Sequence, residues 1–266
     1  MLMISLCVNA LAVFAAYKVN SLSLSGALAA FIVGASLMTL GGVSTWLLLI
    51  MLLVSSSLIE KLSILFRLKS PRRISSPSEE VNGRSAGQVL ANSLLSLICL
   101  LAYRFSQNNL YYFLLVISIA GSTADTWASE IGILSTEAPQ SLLTGKKMPP
   151  GKSGGVTRLG LLASFLGATF ISALAVILNT PVSTADFIKL TLLGVSCSII
   201  DSLLGLSIQE VYVELATGKE FEELPKGVDP ILYQRKQGWA GIDNSMVNVL
   251  SNLLTVILAW LLLSLF

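Results

Sequence analysis

Eight apolar stretches, most close to twenty residues long, leave this chain few folds to choose from. A bilayer core about 30 Å thick is crossed by about 20 predominantly apolar residues of α-helix. Inside it every backbone N–H and C=O must find a partner in the protein, so only helices and closed barrels span it. The stretches lie near 1–17, 22–40, 45–66, 86–104, 109–134, 156–178, 185–207 and 243–265. Of the 266 residues 54% are hydrophobic and only 12% charged, and mean hydropathy is +0.78. A soluble domain carries about 25% charge. The expected fold is therefore all-α: a polytopic integral membrane bundle of about eight transmembrane helices, one domain over 1–266.

Met1–Tyr17 has no basic segment before it and is followed by Lys18, which marks a retained helix, not a cleaved signal. Cys7, Cys99 and Cys197 lie far apart in apolar stretches and read as packing residues. There is no histidine. Any chemistry must come from carboxylates, amides, hydroxyls, Lys and Arg. The net charge of +2 singles out no class of partner, and no nucleic-acid partner is expected.

Three longer polar loops remain, near 67–85, 135–155 and 208–242. Lys61, Arg67, Lys69, Arg72, Arg73 and Arg84 lie in or beside the first. Lys146, Lys147, Lys152 and Arg158 flank the second, and Lys219, Lys226, Arg235 and Lys236 lie in the third. The opposite side has little beyond Arg104. Positively charged loops stay in the cytoplasm, so all three are expected there, and with eight crossings both termini face outward.

That orientation places the unusual residues in one leaflet. The fifth helix carries Asp125 and Glu130 in its cytoplasmic half, and the seventh carries Asp201 near its cytoplasmic end. Arg84, Gln88 and Asn92 recur every four residues at the start of the fourth helix. Asn244, Asn248 and Asn252 do so at the start of the eighth, after Asp243. Ser198, Asp201, Gly205 and Gln209 make a third stripe, and Ser122, Asp125 and Ser129 a fourth. Residues so spaced share one helix face, and four polar faces need an interior to point into. For Asn252 and Ser129 plain interhelical hydrogen bonding, about 0.6 kcal/mol each, is the better account. For Gln88, Asn92 and Asn248 both readings stay open. An acid within the membrane is costly and marks function by default, which favours Asp125 and Asp201 as site residues. Glu130, five residues from Asp125, faces elsewhere on an ideal helix; it pairs with loop lysines, or the helix breaks near Gly121.

The second loop, Thr144-Gly-Lys-Lys-Met-Pro-Pro-Gly-Lys-Ser-Gly-Gly-Val-Thr157, has the look of a phosphate loop. Five residues instead of four separate Gly145 from Gly151-Lys152-Ser153, and no strand precedes it, so it is no Walker A motif. Gly154 and Gly155 are still expected to present backbone N–H groups at the start of the sixth helix, where the dipole favours anions. Lys146, Lys147, Lys152 and Ser153 stand beside them. In the third loop Glu220, Glu222, Glu223 and Asp229 read as a solvated surface.

The segments Arg84-Ser-Ala-Gly-Gln-Val-Leu-Ala-Asn92, Ala124-Asp-Thr-Trp-Ala-Ser-Glu-Ile-Gly132, Pro150-Gly-Lys-Ser-Gly-Gly-Val-Thr157 and Ile242-Asp-Asn-Ser-Met-Val-Asn248 together resemble one family. It is a widespread family of integral membrane proteins long known only as a domain of unknown function. It includes the phytyl-phosphate kinase of vitamin E synthesis in plants and cyanobacteria and an animal transmembrane protein. Asp201-Ser-Leu-Leu-Gly205 also looks like a family segment. The resemblance implies a kinase that adds a second phosphate to a prenyl monophosphate lipid, using a nucleoside triphosphate, chiefly CTP in the plant branch. Asp125, Glu130, Asp201, Asp243, Asn244, Lys152, Gly154 and Gly155 match the family's polar positions.

Chemistry then suggests roles. Phosphoryl transfer between phosphates is positioning plus electrostatic neutralisation. Mg²⁺ is expected on Asp125 and Asp201, with Glu130 and Asp243 as further candidates. Lys146, Lys147, Lys152, Ser153 and the loop glycines would take the donor phosphates, Arg84 the acceptor phosphate, and Gln88, Asn92, Asn244 and Asn248 would line the substrates. The alternatives are a cytidylyltransferase forming a CDP-lipid and a lipid-phosphate transporter. Polar residues on one side of the membrane and the lack of a visible inverted repeat count against transport. The protein is expected in the cell membrane with its active site facing the cytoplasm; the sequence leaves the oligomeric state open.

Cysteines placed at Ser76, Ser153 and Gly218 should all label from the cytosolic side. Labelling of any of them from outside intact cells would overturn this topology.

Overall fold

A glycine folds the longest helix back on itself. The structure, a computed structural model, describes residues 2–69, 83–178, 180–222, 224 and 228–264. Within α2 (Leu24–Lys69), Gly42 has φ 82° and ψ 178°, a backbone region that essentially only glycine occupies. It divides α2 into arms 24–41 and 43–69. On a straight helix residues 24 and 60 would lie about 54 Å apart at 1.5 Å per residue. Instead one residue touches both places: Arg84 pairs backbone with Leu22 while its side chain reaches Glu60 at 3.3 Å. The arms are therefore antiparallel. Helix α1 (Leu2–Lys18) is pinned to both through its fully buried Asn9, which donates to Phe31 O and accepts from Trp46 Nε1, each at 2.9 Å.

Five further helices follow: α3 (Ala86–Ser106), α4 (Asn109–Gly132), α5 (Arg158–Ile177), α6 (Phe187–Ser207) and α7 (Asn244–Ser264). The molecule is helical as expected, and the gap between the second and third apolar stretches, Gly41-Gly42-Val43-Ser44, is the α2 bend. By length and composition five helices, counting α2 once, suffice to cross a membrane: α2, α3, α5, α6 with its leading 3₁₀ turn, and α7. Helix α1 is shorter, and α4, long enough at 24 residues, carries too many polar residues; it is the centre of the bundle. Every residue from Tyr112 to Ala124 is buried, and α2, α3, α5, α6 and α7 pack around it. Its Leu115, Ile117 and Ile119 share one apolar core with Leu37 and Leu48 of α2, Ile171 of α5 and Leu190 of α6. No break occurs at Gly121; α4 runs unbroken through it. The glycine serves close packing, since a Cβ there would lie 2.7 Å from Cys197 Cβ of α6. Such small-residue contacts are how helices approach in membranes.

The described residues of the second and third loops contain short strands, and here the all-helical expectation needs an addition. Strands β1 (Gln140–Ser141) and β2 (Gly155–Val156) pair antiparallel. Strands β3 (Val211–Glu214), β4 (Glu220–Phe221) and β5 (Tyr233–Gln237) form an antiparallel sheet in the order β4-β3-β5. The sheet is stitched to the end of α6: Gln237 Nε2 donates to Leu206 O at 3.0 Å and Trp239 N to Ile208 O at 3.0 Å. Arg72, Arg73 and Ser76 of the first loop, and Glu223 and Lys226 of the third, lie outside the described residues.

Gly42→Ala isolates the backbone cost of the bend, because a Cβ there meets nothing within 4 Å. The substitution should cost about 1–3 kcal/mol, read as a lowered Tm of the detergent-solubilised protein. An unchanged Tm would refute the bend.

Candidate functional site

The polar stripes meet at one end of the bundle, where α4 and α6 finish and α3 and α7 begin. The deeper layer is a set of neutral hydrogen bonds. Asn252 Nδ2 of α7 donates to Ser122 Oγ at 2.7 Å and Ser118 O at 3.2 Å, both on α4. Ser122 Oγ donates to Asn92 O of α3 at 3.0 Å. Asn252 is thus the interhelical tie expected of it, whereas the exposed Ser129 bonds only to Thr126 O of its own helix.

One turn nearer the end, the same faces carry charge. Asp125 of α4 and Asp201 of α6 are each partly accessible, and their charges interact. Asp201 Oδ2 accepts from Ser251 Oγ at 3.1 Å. With its amide nitrogen turned toward that carboxylate, Asn248 donates to the same Oδ2 at 3.0 Å and to Asn244 O at 3.2 Å. Two donors on Oδ2 fix the carboxylate and turn Oδ1 elsewhere.

These two loops close over this end. Ser153 N donates to Glu222 Oε1 at 2.6 Å, and Ser153 Oγ to Oε1 of the fully buried Gln209 at 2.8 Å. Gln209 Nε2 in turn donates to Glu222 Oε2 at 3.2 Å. Lys152 Nζ pairs with Glu220 at 2.9 Å, and Lys236 pairs with the same carboxylate. Glu220 is exposed, as a solvated surface would be, but it pairs with Lys152, and the half-buried Glu222 joins the third loop to the second. Glu222 also lies close enough for its charge to act on Asp201.

Two expectations for the loop change. Gly154 and Gly155 do not head a helix. Gly155 belongs to β2, its N–H donates to Lys152 O at 3.2 Å, and the following helix is capped by Thr157 Oγ1, which accepts from Gly160 N at 3.0 Å. Gly154 is demanded by packing: with φ +79°, a Cβ would stand 2.3 Å from Leu206 Cγ and 2.7 Å from Ser202 O. Lys146 and Lys147 are exposed and form no salt bridge among the described residues.

The four candidate metal acids separate. Glu130 faces α2, accepting from Ser63 Oγ at 2.8 Å with Arg67 Nη2 at 3.9 Å; its partners are neither loop lysines nor the other acids. Asp243 caps α7, its Oδ1 accepting from Met246 N at 2.8 Å. Among the described residues no three acidic or cysteine side chains gather as a metal cage. Asp125 and Asp201 remain, and two carboxylates fit Mg²⁺, which is usually held by one or two carboxylates together with substrate phosphates. Arg84 pairs with Glu60, Gln88 Oε1 accepts from Ser85 N at 2.8 Å, and Asn92 Nδ2 donates to Gln88 O. Sequence spacing missed Ser251, Glu222, Glu60, Ser63 and the pairing role of Arg67, because each acts across the fold and not along one helix face.

A family model described as "Integral membrane protein DUF92" matches residues 7–256. Protein PGR of Arabidopsis thaliana is 32% identical over 232 residues, covering 78% of this chain and 79% of its own. An uncharacterized membrane protein of Methanocaldococcus jannaschii is 34% identical over 124 residues, 46% of this chain and 50% of its own. No solved structure matches.

The loop-to-loop contact is sensitive to acid. Hydrogen bonds from Lys236 and Lys152 hold the Glu220 carboxyl below its ordinary value of 4.5. A depressed carboxylate stabilises fully above its unfolded value and ceases to do so as pH falls through the folded one. Protease protection of 208–242 should accordingly fall below about pH 4.5 in the wild type. Glu220→Gln should already show the weaker protection at pH 7; an unaltered pH profile in that variant would remove Glu220 as the tie.

Proposed function

The chain belongs to the integral membrane protein DUF92 family, and from that premise we propose that it is a membrane phosphotransferase. It transfers a phosphoryl group from a nucleoside triphosphate, CTP in our reading, to a prenyl monophosphate, giving a prenyl diphosphate at the cytoplasmic face of the membrane. The observation that carries this reading is the pair Asp125 and Asp201, half-buried and near enough for their charges to interact, beneath a lysine-bearing loop. Like charges held together away from bulk water are costly unless a cation or proton joins them.

An oxygen of the acceptor phosphate attacks the γ-phosphorus, the bond from that phosphorus to its β-bridging oxygen breaks, and nucleoside diphosphate leaves. The attacking oxygen carries no proton that must be removed, which suits a chain without histidine. Asp125 and Asp201 would hold Mg²⁺, which would supply charge neutralisation of the donor phosphates. Asn248 and Ser251 keep Asp201 oriented. Lys152 meets the phosphates at the rim. Its pairing with Glu220 is partly exposed, and such pairs are worth about 0–1 kcal/mol, so it exchanges partners at little cost. Ser153 offers its N–H where Glu222 now supplies an anion.

Asp125→Asn and Asp201→Asn should each abolish turnover with labelled CTP, Mg²⁺ and a panel of prenyl phosphates, while the folded protein remains extractable. Lys152→Ala should raise the nucleotide KM and leave the lipid KM unchanged. Near-normal activity in either Asp variant would remove that residue as a metal ligand. Product analysis decides the reaction: prenyl diphosphate supports the proposal, whereas a CDP-lipid or no covalent change defeats it.

A further inference from the structure

The second arm of α2 carries Glu60, Ser63 and Arg67 at spacings of three and four residues, on one helix face. That face meets Glu130 of α4 and Arg84, which precedes α3. Arg84 Nη2 lies 3.3 Å from Glu60 Oε2. Ser63 Oγ donates to Glu130 Oε2 at 2.8 Å and accepts from Arg67 Nη2 at 3.2 Å. Glu130 feels the charges of Glu60, Arg67 and Arg84 together, so two arginines and two glutamates form one cluster.

Balanced charge alone describes an ordinary ion network, but one atom does not fit that account. Arg67 Nε is buried without an acceptor, and Arg67 Nη2 is 3.9 Å from the Glu130 oxygen, beyond hydrogen-bond reach. Among the described residues it is the one charged donor so stranded; the others are Ser and Thr hydroxyls and Asn252 Oδ1. A buried donor with no partner asks for an explanation, and a missing anion is one. Guanidinium N–H groups form a fork that takes two oxygens of a phosphate at once. Glu130 has Ser63 as a donor of its own, so Arg67 can turn to a ligand without stranding the carboxylate.

The setting says which phosphate. Leu58, Leu62, Leu65 and Phe66 on the same arm are exposed, which in a membrane helix means they face lipid. The arginines, 13% and 14% exposed, therefore stand just inside a lipid-facing surface. On α4, Glu130 is about 7.5 Å along the axis and about 140° around from Asp125. A headgroup arriving sideways from the bilayer meets the arginines first, its tail still in hydrocarbon.

We infer that Arg67 and Arg84 hold the phosphate monoester of a lipid substrate that enters from the bilayer, while Glu60 and Glu130 keep both guanidinium groups in place before it arrives. This deepens the proposed function by naming the acceptor's site, and it rests on that reading for the lipid's role as acceptor.

The test reads binding, not turnover. Full-length protein in lipid nanodiscs, without nucleotide, is titrated with geranylgeranyl monophosphate, geranylgeraniol and inorganic phosphate, and separately with CTP and Mg²⁺. The lipid phosphate should bind and the alcohol should not. Arg67→Gln should weaken lipid-phosphate binding by about tenfold or more, the scale of a lost charge-assisted contact, and leave CTP binding unaltered. Arg67→Lys should fall between, keeping the charge and losing the fork; it carries the same comparison where Arg67→Gln does not fold. Wild-type lipid-phosphate affinity in either variant overturns the inference, as does equal loss of CTP binding. Inorganic phosphate binding as tightly as the lipid would also overturn it, since the tail would then contribute nothing. Arg67-dependent binding without any phosphoryl transfer would sink the proposed function and leave this site standing.

Discussion

Two carboxylates near enough for their charges to interact, at one end of a helical bundle, set the terms for what surrounds them. Like charges in a medium of low effective dielectric repel strongly, and neither is well solvated there. Asp125 and Asp201 can meet only because α4 and α6 approach through small residues at Gly121 and Cys197. Helix α7 then comes in beside them, held one layer deeper by Asn252 on Ser122, and spends Asn248 and Ser251 on Asp201 alone. One acid is held by donors and the other stands in its partner's field. Like charges so placed add nothing by themselves to the stability of the bundle.

The two loops complete the balance from above. Acids lie deep and lysines lie at the rim, with Lys152 and Lys236 sharing Glu220. Glu222 reaches between the layers, taking the Ser153 N–H while its charge acts on Asp201. An anionic ligand arriving from the aqueous side meets positive charge first, an order that favours capture by electrostatic steering. Gln237 bonds the third loop to the last turn of α6, and Ser153 bonds the second loop to Gln209 just beyond it, so the rim is tied to the helix that carries Asp201.

How much of this was legible in the sequence depends on the length scale of each signal. Helix positions were legible because hydropathy is local: α3 was placed at 86–104 and spans Ala86–Ser106. The bend at Gly42 was legible because two glycines and a serine interrupt an apolar run. That α4 lies at the centre was not, since a helix walled by protein and one bathed in lipid use the same apolar residues. The sheet was hidden for another reason. Tyr233-Gln-Arg-Lys-Gln237 has no alternating apolar pattern; it is a strand because its end docks on α6 and its edge pairs with β3. The four-residue stripes did bring Asp125, Asp201 and Asn248 into one neighbourhood. They misplaced Glu130, whose partners Ser63 and Arg67 lie more than sixty positions away in the chain, where no spacing rule reaches.

The opposite end of the bundle bears on what kind of site this is. There, Thr45 Oγ1 and Tyr112 OH meet at 2.8 Å, and Ser44 Oγ donates to Leu178 O at 3.1 Å, all uncharged contacts. A cavity of about 450 Å³ beside Asn109, Thr180 and Asp186 opens at that end. Between it and the acids run the buried residues of α4, and the hydrogen bonds of Asn252 to α4 reach as deep as Ser118. A carrier needs its site near the midplane with access from both sides. Here the charged groups of α4 stop in one half of the helix and divide between two of its faces, Asp125 toward α6 and α7, Glu130 toward α2. One helix thus stands between the acid pair beneath the loops and the arginine cluster beside the lipid-exposed Leu58, Leu62, Leu65 and Phe66. That division fits the proposed reaction, whose two substrates come from different phases.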